Sequence, residues 1–218
     1  MRGTNRIRRY DRSVLKYGLG LTFLAFASSA SAQSLFAQGS VGVDVRRFSA
    51  EPEKSPYDGT GSTFAFGGGA ELIGHWVVSA EADFGSSTTT STQTSVVFNG
   101  QTLTVHTSYS AERRSVSALA GYRSDSHRRW RIGYYGGVSF TNLRREIVSD
   151  AESIVLQAPA PGSIYDQRLT SAIVGLDVAV RVTAHLAIVP ALRAQGLTIG
   201  TELGGYSVRP SIGGRVSF

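Results

Sequence analysis

The chain has 218 residues, 41% of them hydrophobic, no cysteine and a formal net charge of +6. That length suits one domain, and the hydrophobic share supports a core but not several membrane helices. The lack of cysteine excludes a disulfide scaffold and a thiol nucleophile. Six basic residues fall within the first 32, so residues 33–218 carry 16 basic and 15 acidic side chains, and nucleic acid is not implied as a partner.

Residues 1–32 read as a cleaved secretory signal peptide. Arg2, Arg6, Arg8, Arg9, Arg12 and Lys16 form a basic leader, Leu19 to Ala27 an apolar stretch, and Ala30-Ser31-Ala32 a cleavage site before Gln33. Tyr10-Asp11-Arg12 after Arg8-Arg9 suits twin-arginine export poorly, so the general secretion translocon is the expected route. Residues 33–218 are then the exported domain.

Eight segments of period-2 alternation follow. The first, Ser40 to Phe48, sets Val41, Val43 and Val45 against Gly42, Asp44 and Arg46. The second, Thr63 to Leu72, sets Phe64, Phe66 and Leu72 against Thr63, Ala65, Gly67 and Glu71. After Ile73-Gly74-His75, the third sets Val78, Ala80, Ala82 and Phe84 against Ser79, Glu81 and Asp83. The fourth, Tyr109 to Tyr122, sets Val116, Ala118 and Ala120 against Arg113, Ser115, Ser117 and Gly121. The fifth, Arg131 to Leu143, sets Ile132, Tyr134, Val138 and Phe140 against Gly133, Tyr135, Gly137, Ser139 and Thr141. In the sixth, Ala172, Val174, Leu176, Val178, Val180 and Val182 oppose Ser171, Gly175, Asp177, Ala179 and Arg181. The seventh, Leu186 to Leu197, sets Ile188, Pro190, Leu192 and Ala194 against Ala187, Ala191, Arg193 and Gln195. In the eighth, Tyr206 to Phe218, Tyr206, Val208, Pro210, Ile212, Gly214, Val216 and Phe218 alternate with Ser207, Arg209, Ser211, Gly213, Arg215 and Ser217.

Each segment thus has one apolar and one polar face. The last is longer than the usual strand of a soluble protein and long enough for a tilted strand to cross a bilayer, which takes about 9–11 residues. Links after segments one, three, five and seven are long, and those after two, four and six are short. The two kinds therefore fall at opposite ends. Ser86 to Ser95 and Ala158 to Gly162 have surface-loop composition. Asn99-Gly100 between Val96-Val97-Phe98 and Leu103 to Val105 signals a hairpin, so the third and fourth strands are expected to run on as a β-ribbon.

An amphipathic final strand closing on Phe resembles the C-terminal strand of bacterial outer-membrane β-barrels, and residues 33–218 resemble small barrels of the OmpA and OmpX kind. The resemblance implies an all-β, antiparallel eight-stranded transmembrane up-and-down barrel with short periplasmic turns and long extracellular loops. It implies residence in the outer membrane among its lipid and lipopolysaccharide, and an assembly signal at Tyr206, Val216 and Phe218 read by the barrel-assembly machinery. Trp76, Trp130 and Phe218 would form the periplasmic aromatic girdle, and Phe48, Phe84, Tyr109 and Tyr206 the outer one.

The polar faces collect Asp44, Glu71, Glu81, Asp83 and Asp177 with Arg46, Arg113, Arg181, Arg193, Arg209 and Arg215. A barrel of eight strands has a lumen just wide enough for side chains to fill, so these groups are expected to meet as an ion-pair network that plugs it. Arg is the better partner for enclosed carboxylates, and residues 33–218 hold 15 Arg and a single Lys, Lys54. A soluble lipocalin-like carrier would instead turn the apolar face inward. Gly67-Gly68-Gly69 reads as room for curvature or close packing. His75, His106, His127 and His185 have no Ser and carboxylate at readable triad positions, so no catalysis, cofactor or metal is expected. Arg47, Arg114 and Arg144 sit near the outer rim, as contacts for lipopolysaccharide phosphate or as solvated charge. The expected work is structural or surface interaction through the loops, with a ligand the sequence does not name. A narrow diffusion channel and a lipid-A-modifying enzyme are the alternatives.

Overall fold

A computed structural model describes residues 32–48, 58–85, 90–98, 101–124, 129–149, 164–199 and 203–218. The expected signal segment up to residue 31, the Asn99-Gly100 turn, His127 and the 158–162 stretch lie outside the described residues, as does the side chain of Tyr109. Ala32 and Gln33 begin the first strand.

Nine strands follow in order: β1 (Ala32–Phe48), β2 (Gly59–Leu72), β3 (Trp76–Gly85), β4 (Thr90–Phe98), β5 (Gln101–Arg123), β6 (Trp130–Ser149), β7 (Ile164–Arg181), β8 (Leu186–Ile199) and β9 (Leu203–Ser217). Every pairing is antiparallel. β1 pairs with β2 and β9, each later strand pairs with its neighbour, and β3 pairs with β5, which closes the sheet into a barrel of eight. The ninth strand, β4, is the ribbon. It pairs only with β5, from Thr90↔Tyr109 to Phe98↔Gln101, beyond the point where β3 leaves the same strand at Gly85↔Arg113. β3 and β4 thus line successive lengths of β5. Closure removes the edges of the barrel wall, and β4 is left as the exposed edge of the described sheet.

The alternation decides which way the wall faces. Odd positions of β5, β6, β8 and β9 and even positions of β1 point into the lumen, where Asp44, Arg113, Ser139, Gln195 and Ser207 are buried. The opposite set, including Val41, Phe64, Phe140, Val174, Ile188 and Ile212, is exposed on the outside. Such an inverted surface suits lipid, not water.

At the short-link end, β2 turns into β3 over Ile73–His75 with Gly74 (φ 75°) and His75 (φ 67°) both left-handed. Two consecutive positive φ values match the right-handed twist of the flanking strands. The β7–β8 link is closed by Val182 N–H and Thr183 N–H donating to Leu186 O (2.8 and 3.1 Å).

Two prolines mark the only lapses within the wall ladders they face. The β7–β8 register skips from Asp177↔Ala191 to Val180↔Ile188, opposite Pro190. The β1–β9 register skips from Gly42↔Ser211 to Val45↔Val208, opposite Pro210. Proline has no N–H to give a neighbouring strand.

Several strands outrun their expected bounds. β1 begins eight residues before Ser40, and β5 and β6 reach 23 and 20 residues. A strand that crosses lipid needs about half that, so β5 and β6 continue past the apolar band on the long-link side. Phe48 does not join an outer girdle. It shares the inward face with Asp44 and Arg46 and packs with Leu143, Leu169 and Leu197 inside the barrel.

Candidate functional site

The lumen is built from side chains that are far apart in sequence and brought together only by closure. At its centre, Arg113 Nε donates to Asp44 Oδ2 (2.9 Å), its Nη2 donates to Asp83, and its Nη1 to Ser115 Oγ (3.1 Å). Arg209 donates to the other oxygen of Asp83 and, at 3.4 Å, to Gln195 Oε1. Ser207 Oγ donates to Asp44 Oδ1 (2.6 Å), Thr63 Oγ1 to Asp83 (3.2 Å), and Arg46 Nε lies 3.4 Å from Asp44 Oδ2. β1, β2, β3, β5, β8 and β9 all contribute. Ions withdrawn from water need partners of this kind, and a guanidinium fork can serve two carboxylates at once.

Two further pairs flank the centre. Arg193 Nη2 reaches Glu81 Oε2 (3.3 Å) and its guanidinium lies over Tyr135 (5.2 Å to the ring centre). Arg215 Nη2 donates to Asp177 Oδ2 (2.6 Å) and Gln38 Oε1 (2.8 Å). Neutral hydrogen bonds fill the remaining space, with Gln195 Nε2 donating to Thr141 Oγ1 (2.7 Å) and Ser171 Oγ (2.8 Å). Space opposite the larger groups comes from glycine: a Cβ at Gly133 would lie 2.6 Å from Asp177 Oδ1, and one at Gly69 would lie 2.9 Å from the Phe36 ring. Gly69 therefore serves close packing, as read from the sequence. The cavity left beside Gln38, Glu81, Asp83, Arg193 and Arg209 is about 20 Å³, enough for a single water molecule.

A third cluster lies at the short-turn end. Glu71 accepts from Arg123 Nη1 (2.9 Å) and Arg131 Nη1 (3.1 Å), and His75 Nδ1 stands 3.7 Å away. Arg123 Nη2 donates to Tyr135 Oη (3.1 Å), and Arg131 Nε to Ser124 O (3.0 Å). An apolar cluster of Phe36, Val77, Leu119, Tyr135 and Ile173 packs beside it, and Arg215, bonded to Gln38, links the two regions. Phe36 takes the Arg123 and Arg215 guanidinium groups at 5.1 and 4.9 Å from its ring centre.

Of the eleven side chains expected in the lumen, ten are buried there. The exception is Arg181, which is exposed at the barrel's mouth beside the β7–β8 turn, because β7 ends at this residue. Arg123, Arg131, Gln38 and Tyr135 are the partners that the sequence reading passed over. Simple continuation of parity reaches them: Arg123 lies two steps beyond Gly121 and Arg131 two steps before Gly133. The same parity reaches the lumen's apolar layers, including Leu119 and Ile173.

The sequence of residues 19–207 matches the profile of the outer membrane protein beta-barrel domain family. The chain belongs to that family. No curated protein matches its sequence. Among solved structures it is similar to Neisserial surface protein A, at 13% identity over 87% of this chain and 100% of that one, with a TM-score of 0.57. It is also similar to the outer membrane protein OprG from Pseudomonas aeruginosa, at 13% identity over 86% of this chain and 97% of that one, with a TM-score of 0.52. This outer-membrane barrel therefore resides in the bacterial outer membrane with its short turns in the periplasm, its long loops outside the cell and its apolar belt against lipid.

Membership fixes the surroundings of the outward residues. Trp76, Tyr122, Trp130, Tyr134 and Phe218 are exposed toward the short-turn end, and Trp76 meets Tyr122 edge to face at 6.1 Å. Phe84 and Tyr206 are exposed toward the loop end. Tyr206, Val216 and Phe218 all point outward, and Phe218 is pinned by its N–H to Leu35 O at 2.8 Å. Arg47, Arg114 and Arg144 are exposed at the loop-side rim, where Arg114 stands 3.6 Å from Glu112. His185 Nδ1 lies 3.1 Å from Ser217 O at the short-turn end. Among the described residues, no group of three His, Cys, Asp or Glu side chains converges as metal ligands.

Proposed function

We propose that this barrel is a closed wall whose work is done outside the cell, as a surface-binding protein, and that the lumen's ion pairs serve stability and register instead of transport. The carrying observation is the lumen: five buried carboxylates matched by arginines, two buried apolar clusters, and a cavity of about 20 Å³ beside Glu81 and Asp83. A permeating solute would have to break several charge-assisted hydrogen bonds at once. On the outer side, β4 and the adjoining length of β5 project from the wall with the Ser- and Thr-rich run 90–95, and the exposed edge of β4 suits recognition by strand addition. Residues 1–32 would be removed on export, and Tyr206, Val216 and Phe218 would be read by the barrel-assembly machinery. Arg47, Arg114 and Arg144 are well placed for lipopolysaccharide phosphates.

Single-channel recording in a planar bilayer tests the closed wall. The barrel, verified as folded by a heat-modifiable gel band, is expected to insert and remain silent. Steady ohmic steps that change on Glu81→Gln or Arg209→Gln substitution would establish a channel and sink the reading. Deletion of residues 86–107 is expected to leave the barrel folded and abolish whatever cell or matrix binding the intact protein confers. Altered lipid A mass on expression would point to catalysis.

A further inference from the structure

The short-turn end carries a feature that surface binding does not use. A vestibule of about 270 Å³ opens there, lined by Arg123, Arg129, Arg131, Arg181 and Arg215, with Glu71 as the one carboxylate side chain among the described residues that line it. The main-chain oxygen of Phe218 also reaches the lip, where it accepts from Leu35 N–H (3.4 Å). Glu71 is taken up by Arg123 and Arg131, and the second carboxylate near the floor, Asp177, by Arg215. Arg129 and Arg181 are exposed and form no ion pair with a described carboxylate.

The buried arginines are also incompletely used. Arg123 and Arg215 are each 3% exposed, and both line the vestibule, yet Arg123 Nε and Arg215 Nη1 have no hydrogen-bond partner among the described residues, as is also true of nitrogens of Arg46, Arg193 and Arg209 deeper in the lumen. Buried donors are rarely left so, since each unmet donor costs the desolvation it suffered. The side chains of Arg123 and Arg215, on β5 and β9, line the same space as the exposed guanidinium groups of Arg129 and Arg181.

We propose that this vestibule binds a phosphate-bearing anion from the periplasmic side. A tetrahedral oxyanion offers several oxygens to several forks at once, which a carboxylate of the Glu71 kind cannot do once two arginines hold it. The volume accommodates a phosphomonoester of a few carbons or a phospholipid head group. Leu186 and Phe218 at the lip, both exposed on the lipid side, leave the second source a route in from the inner leaflet. Side chains fill the lumen beyond it, among them the buried Phe36, Val77, Leu119, Tyr135 and Ile173 cluster, so the anion binds there and does not pass. The inference is independent of what the outer loops recognise.

The test uses the full-length protein extracted from membranes, followed by phosphorus NMR. Inorganic phosphate and glycerol 3-phosphate are titrated in detergent, and phosphatidylglycerol is compared with phosphatidylcholine in nanodiscs. Saturable line broadening by a free phosphate, or selective broadening of phosphatidylglycerol, supports the site and tells the two sources apart. Arg129→Gln/Arg181→Gln is expected to weaken it at least about tenfold, the effect of one charge-assisted hydrogen bond. Both residues are exposed, so the variant should keep its heat-modifiable band. Arg114→Gln, on the opposite rim, is expected to change nothing. No saturable broadening from either source overturns the proposal, as does equal affinity in the double variant or an equal loss in Arg114→Gln.

Discussion

The centre of the lumen and its short-turn end are made from the same two kinds of side chain, yet they are built to different ends. At the centre, Asp44 and Asp83 share Arg46, Arg113 and Arg209, and Ser207 and Thr63 occupy further acceptor sites on the carboxylates. At the short-turn end, Glu71 stands as one carboxylate among Arg123, Arg131 and His75, beside a space that other arginines line. The difference teaches that composition does not tell a structural ion-pair network from a receptive one. What separates them is whether an open space lies beside the arginines and whether water can reach them.

Removing Arg113 is the hardest test of that distinction. Arg113→Leu removes the bridge between Asp44 and Asp83 and leaves each buried carboxylate with one arginine, and a broken buried pair costs about 3–5 kcal/mol. Urea unfolding of the barrel in phospholipid vesicles should register that loss. A cost near zero would mean that the central network is hydrated and that the two regions do not differ. Glu71→Gln sharpens the comparison from the other side. Its arginines can turn toward solvent in the vestibule, so the expected loss is smaller, roughly 1–2 kcal/mol in the same assay, and phosphate affinity should rise as the competing carboxylate disappears. The smallest effect belongs to the loop-side rim, where Arg114 and Glu112 are 67% and 52% exposed. Arg114→Gln is expected to shift stability by about 0–1 kcal/mol, since solvent screens such pairs, and a larger shift would show that the rim is not simply solvated.

Most of the wall was legible because period-2 alternation carries two facts at once, strand identity and facing. Asp44, Asp83, Arg113 and Arg209 could be assigned to one side without knowing any contact. The link lengths gave the direction of each strand, and Asn99-Gly100 signalled the ribbon that β4 and β5 form. Partners were another matter. That Arg113 bridges Asp44 and Asp83 depends on the tilt and register with which β1, β3 and β5 close, and period-2 patterning says which face a residue is on, not how high it stands. Leu119, Ile173 and Val77 were hidden for a different reason. They are apolar residues on the face read as polar, and they stop the lumen being uniformly charged. Arg181 erred in the opposite sense, because alternation does not say where a strand ends.

β5 has one more consequence, a mechanical one. Its 23 residues run unbroken from the ribbon at Gln101 to Arg123, which is clamped to Glu71 at the other end of the barrel. A tether pulling on the ribbon therefore hauls along the axis of a strand held on both sides, by β3 and by β6. Load of that direction falls on many ladder bonds together, in shear, and not on one bond at a time as in a zipper. The wall behaves as an anchor post set through the membrane, and the first part to yield under tension is the two-stranded ribbon where β4 has a neighbour on one side alone.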